Sequence, residues 1–129
     1  MPHPPPIQPG PRPRALPPLP AMPALPFDSV EEAWFWFIPA HEAKLAGARI
    51  RAGQGLVPRP CEPADILGAV DRLYRQRRLL RDHLLVMAHY GRRQMAPEAD
   101  RPRETRDHSL WVEALSILAP VLRHKGIVR

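Results

Sequence analysis

Between residues 72 and 106 the chain carries ten arginines and four acids, an excess of six positive charges that equals the formal net charge of the whole chain. A guanidinium group is planar and permanently charged, and its forked donors match the oxygens of a phosphate. Converging on one surface, Arg72, Arg75, Arg77, Arg78, Arg81, Arg92 and Arg93 would hold the phosphate backbone of DNA or RNA. Such contacts give affinity without sequence choice, and no separate set of Asn, Gln or Arg identifies itself as base-reading. A solvated helix face competes with this reading, because Asp71 can pair with Arg75 and Arg78 with Asp82 at i,i+4 spacing. Composition offers a second plain explanation. Of the 19 basic residues 17 are Arg, Asn is absent and Thr105 is the sole Thr, a bias that a GC-rich genome also produces.

The aromatic run Trp34, Phe35, Trp36 and Phe37 is the other group with binding chemistry. On a helix these four point in all directions, so a single core contact does not hide them all, and Trp is enriched at the energetic centres of interfaces. The run therefore reads either as a partner-binding or self-association surface or as ordinary core. Aromatic grooves also bind polyproline, which makes the chain's own proline-rich arm, or that of a second copy, a candidate occupant.

Catalytic and metal chemistry find less support. Cys61 and the six histidines supply no CxxC, HxxxH or HExxH, so no metal site or cofactor is expected. Ser29, Ser109 and Ser116 occupy helix-cap or helix contexts rather than a GxSxG elbow. Cys61 lies beside Glu62, whose charge would raise a thiol pKa rather than activate the sulfur. Gly53-Gln54-Gly55 is too short a signature for phosphate cradling. The expectation is a non-enzymatic protein.

These groups need helices to position them. Asp28 or Ser29 followed by Glu31-Glu32 forms a capping-box pattern that opens a first helix, with Pro39 expected to kink or divide it before Gly47. Residues 47–62 read as a loop rich in Gly and Pro. Pro63 at the first helical position begins a second unit whose apolar face is Ile66, Val70, Leu73, Leu80, Leu84 and Met87. Arg77 falls in the middle of that face, which predicts a break between Gln76 and Leu79 although neither Gly nor Pro marks one. The second piece, Leu80 to Tyr90, looks buried on several sides and is expected to end at Gly91. Residues 91–106 read as a surface loop. Asp107 or Ser109 is then expected to cap a last helix with the stripe Trp111, Ala114, Leu115, Leu118, Val121 and Leu122, which Pro120 bends. Arg123, His124 and Lys125 suit the negative end of its dipole, and Gly126 with Ile127 fits a Schellman ending.

The fold class is therefore all-α, a small bundle of about four helices spanning residues 27–129 behind a disordered proline-rich arm at 1–26, where twelve of the 19 prolines fall. The lone cysteine, the absence of a signal-like start and the shortness of every apolar run point to a soluble, cytoplasmic protein with no membrane partner. The layout Leu84 to Gly91, loop, Trp111 to Leu122 loosely resembles helix-turn-helix regulators of the sigma-factor region-four and phage types, over residues 84–122. The prolines of its connecting stretch depart from the short turn such domains use, and no functional residue is carried over. The leading expectation is a small basic bacterial-type regulator that contacts nucleic acid electrostatically. A protein-interaction adaptor or homo-oligomer using the aromatic helix and the arm is the alternative.

Overall fold

In the computed structural model, residues 2–6, 23–47 and 58–129 are described, and they contain four α-helices and no strand. Most of the arm and most of the loop expected at 47–62 lie outside the described residues.

The first helix, α1 (Val30–Leu45), starts where the sequence places it: Ser29 Oγ accepts the Glu32 N–H at 3.1 Å, and the Glu32 carboxylate reaches back to the Asp28 N–H at 3.0 Å. Pro39 does not divide it. A proline has no N–H to offer the carbonyl four residues earlier, which here is Phe35. Gln94, from the far side of a helix–helix contact, donates Nε2–H to that carbonyl at 3.0 Å. The defect in α1 is thus filled by a side chain more than fifty positions away.

The second unit does break. Helix α2 (Pro63–Arg75) begins with Pro63 at its first position and ends in a Schellman motif. The Arg78 N–H bonds the Leu73 carbonyl at 2.9 Å and the Arg77 N–H bonds Tyr74 at 3.0 Å. Arg77 takes the left-handed position, φ 58°, that glycine usually fills. This frees Arg77 from the apolar face and lets Leu79 turn inward to full burial. The next helix, α3 (Arg81–Arg93), is started by a histidine: buried His83 accepts the Leu80 N–H on Nδ1 at 2.9 Å. The ring proton therefore resides on Nε2, which lies 3.3 Å from Glu113 but lacks hydrogen-bond geometry to it.

Helix α3 runs past Gly91, contrary to the sequence expectation, and stops at Gln94 in the left-handed region. Gly91 serves the packing instead. A Cβ there would stand 2.7 Å from Ile38 Cγ1 and 2.9 Å from Trp34 Nε1, so the missing side chain is what lets α1 and α3 touch. Nor is α3 apolar on all sides in its burial, since Leu85 is 56% exposed.

The last helix, α4 (Thr105–His124), starts earlier than its polar residues suggest. Asp107 does not cap it, because its carboxylate accepts the Tyr90 hydroxyl at 2.8 Å. Thr105 Oγ1 instead ties the helix start to the carbonyls of Ala99 and Arg101, both at 3.0 Å. The helix passes through Pro120 undivided and closes as expected, with Gly126 at φ 74° and the Ile127 N–H on the Leu122 carbonyl at 2.9 Å.

The core gathers between α1 and α4, each of which packs against all three other helices. Trp34, Phe37, Leu73, Met87, Trp111 and Leu118 are buried there. Phe27 closes the bottom of the core by pairing with the C-terminal segment. Its N–H bonds Ile127 O at 2.8 Å, its carbonyl accepts the Arg129 N–H at 2.9 Å, and the Arg59 guanidinium covers its ring at 4.3 Å. No helix among the described residues is long and apolar enough to cross a membrane.

Candidate nucleic-acid interface

The helix break decides where the arginines go. The turn at 76–80 destroys the i,i+4 register between Arg78 and Asp82, so the pairing that a continuous helix would have made does not form. Asp82 pairs with Arg106 at 3.1 Å instead. Arg75 does bond Asp71, at 3.0 Å, as its spacing suggests. Arg72, Arg77, Arg78 and Arg81 are exposed and make no ion pair among the described residues.

The seven arginines do not share one surface. Arg81 and Arg92 lie at opposite ends of α3, about 16 Å apart along an axis that rises 1.5 Å per residue. At the far end Arg92 is taken by Glu42 of α1, 2.8 Å away, and the Arg93 guanidinium lies 5.5 Å from the centre of the Tyr90 ring. Of the seven, Arg75 and Arg92 have carboxylate partners, and Arg72, Arg77 and Arg78 of α2 and the break have none among the described residues.

These meet the end of α4. An open groove of about 370 Å³ lies between α2 and α4, lined by Arg72 and Arg78 from α2 and the turn after it and by His124 and Lys125 from the end of α4. Ala69, Leu73, Pro120 and Val121 give it an apolar lining, and Gln76 lines it as well. No acid lines it. Both helices end here, so two C-terminal dipoles contribute roughly half a negative charge each. Set against three full cations, about one unit of dipole charge leaves the groove clearly positive. Gln76 makes no side-chain hydrogen bond among the described residues, which leaves its amide free for a ligand.

His124, Lys125 and Gln76 were not singled out by the sequence as binding residues. The first two read as partners of their own helix dipole, and only the packing of α4 on α2 shows that they face Arg72 and Arg78.

The aromatic residues are spent differently. Trp34 and Phe37 are buried with ring centres 4.9 Å apart, and Trp34 donates Nε1–H to the Met87 carbonyl at 2.9 Å. Phe35 leans on Trp111 at 5.6 Å and Trp36 on Phe27 at 5.3 Å, both partly exposed. Helices on three sides of α1, together with Phe27, supply the separate contacts that a four-way aromatic run needs.

Two further features bear on chemistry. Burial, reinforced by Asp65 and Glu62 and partly offset by Arg59, pushes the Cys61 thiol up to about 11, where it is a poor nucleophile at neutral pH. A second open groove, about 390 Å³, lies between the start of α1 and α4. Its two charged groups are Glu31 and Arg123, and Glu31 already accepts the Trp111 Nε1–H at 3.2 Å, so no charge converges there. Among the described residues no cluster of His, Cys, Asp or Glu has the makings of a metal site.

No protein-family model, curated relative or solved structure matches this chain. Function is therefore read from the geometry alone. The likeness to helix-turn-helix regulators fits poorly with that geometry, because the connection at 94–104 between α3 and α4 is several times the length of the tight turn such motifs use.

Proposed function

We propose that this chain is a non-enzymatic binding protein of the cytoplasm that holds the phosphate backbone of nucleic acid in the groove between α2 and α4. The observation that carries the reading is the convergence of Arg72, Arg78 and Lys125 on one concavity with no acid in its lining. Arg77 and Arg81, exposed on and just after the intervening turn, extend the positive field beyond the groove. Arg92 and Arg93 contribute least, since each is engaged with a neighbour.

The physical logic is charge and geometry. Guanidinium forks from one helix and an ammonium from another can grip successive phosphates from both sides, releasing condensed counterions as they do so. Three neutralised phosphates give a slope of about −2 in a plot of log affinity against log salt for a single strand, and closer to −3 for a duplex. A salt titration of a fluorescent random-sequence oligonucleotide, read by anisotropy, tests this. Binding that disappears smoothly with salt at such a slope supports the reading, and absence of binding at low salt removes it.

A further inference from the structure

Resting on the phosphate-binding reading, we infer that the groove takes single-stranded rather than duplex nucleic acid, seating an unpaired base on its apolar lining. The combination of chemistries within the groove points this way. Its cations come from both sides of the groove, Arg72 and Arg78 from α2 and the turn after it and Lys125 from the end of α4, while Leu73, Pro120 and Val121 give the same concavity an apolar lining. Duplex phosphates lie on the outside of a convex cylinder whose bases are stacked and hidden, so a duplex meets only the rim of a concavity and leaves the apolar lining wet. A single strand can place phosphates against cations from both sides and turn a base inward, which covers apolar surface.

The volume agrees, about 370 Å³, within the range of roughly 300–1,000 Å³ that small-molecule sites occupy and enough for a nucleotide-sized group. Gln76, also in the lining, carries both amide donors and a carbonyl acceptor with no internal partner among the described residues, suited to the Watson–Crick edge of an unpaired base, which a duplex hides. Among the described residues no aromatic side chain lines the groove, so base contact is apolar packing rather than aromatic stacking.

The test uses the full chain, with anisotropy at low salt against a single-stranded oligonucleotide, the duplex of the same length, a single strand bearing abasic sites, and a polyglutamate peptide. Single strand preferred over duplex by about tenfold or more, with affinity lost on removing the bases, is the expected result. Duplex binding as tightly as single strand, an abasic strand binding as well as the intact one, or polyglutamate competing equally would each overturn the inference while leaving an anion-binding groove in place. Failure of every nucleic acid to bind would take down the phosphate reading as well. Pro120 is exposed in the groove lining within α4, so Pro120→Glu restores a helical N–H while setting a carboxylate among the cations. It should weaken single-strand binding about fivefold or more, while Val112→Glu, which adds the same charge to an exposed position of α4 outside the groove, stays near the parent. Equal affinity of the two variants would contradict the assignment of this groove.

Discussion

Among the described residues Arg77 and Gln94 are the two non-glycine residues with positive φ, at 58° and 57°, and replacing each by glycine should give different outcomes. The left-handed conformation costs a residue with a Cβ about 1–2 kcal/mol. Glycine escapes that cost but gives back roughly 0.5–1 kcal/mol through its greater freedom in the unfolded chain. Arg77 is exposed and makes no ion pair among the described residues, so Arg77→Gly loses none of those contacts and should stabilise the protein by about 0.5–1 kcal/mol. For a domain of this size that is a rise of roughly 2–8 °C in Tm. Gln94 uses its side chain: Nε2 donates to Gly91 O at 2.7 Å and to the Phe35 carbonyl that Pro39 leaves without a donor, at 3.0 Å. Losing such bonds costs about 0.5–1.5 kcal/mol each, so Gln94→Gly should be neutral or destabilising despite the same backbone relief. Thermal unfolding followed by circular dichroism at 222 nm measures both. Arg77→Gln, which removes the charge and keeps the Cβ, serves as the control and should leave Tm near that of the parent. An Arg77→Gly protein no more stable than Arg77→Gln would refute the account of the break between α2 and α3.

Gly91→Ala should destabilise by about 1–3 kcal/mol, because its Cβ would collide with Ile38 and Trp34 at the α1–α3 contact; denaturant unfolding at constant m-value reads this directly. Tyr90 has its phenol pushed up to about 12 by burial and by the hydrogen bond it donates to Asp107. The folded state therefore holds that proton more tightly than the unfolded one, whose phenol titrates near 10. Its stabilising effect is complete below pH 10 and is lost as pH climbs from about 10 to 12. Tyr90→Phe should lower stability at neutral pH and flatten that alkaline loss, and a variant whose stability falls as steeply as the parent's over the same interval would contradict the Tyr90–Asp107 assignment.

Local chemistry was readable in advance. The break near Arg77 followed from a charged residue on an apolar stripe, and the end of α4 followed from Gly126 and Ile127. Both are settled within a few residues of chain, by burial cost in one case and by cap geometry in the other. What the sequence left hidden depends on distant partners. Gly91 looked like a helix stop because glycine usually is one, whereas its role comes from Ile38 and Trp34 on another helix. Asp107 looked like a cap but is drawn to Tyr90, and Pro39 looked like a divider but is relieved by Gln94. The candidate site shows the same division. Arg72 and Arg78 stood out through local charge density, while Lys125 and His124 became visible as their counterparts only once α4 was seen lying across α2. Arg92 and Arg93 share that charge density along the sequence but stand at the far end of α3, which spacing alone does not reveal.

The most direct test of the groove compares two pairs of arginines on one assay. Arg72→Ala with Arg78→Ala removes the groove's two arginines, while Arg92→Ala with Arg93→Ala removes the same charge from the far end of α3. Anisotropy titrations of a single-stranded oligonucleotide over a series of salt concentrations should show the first pair weakening affinity sharply and flattening the salt slope by about 1.4, with the second pair near the parent. Equal losses from the two pairs, or a larger loss from Arg92 and Arg93, would show that diffuse positive charge and not the α2–α4 groove does the binding.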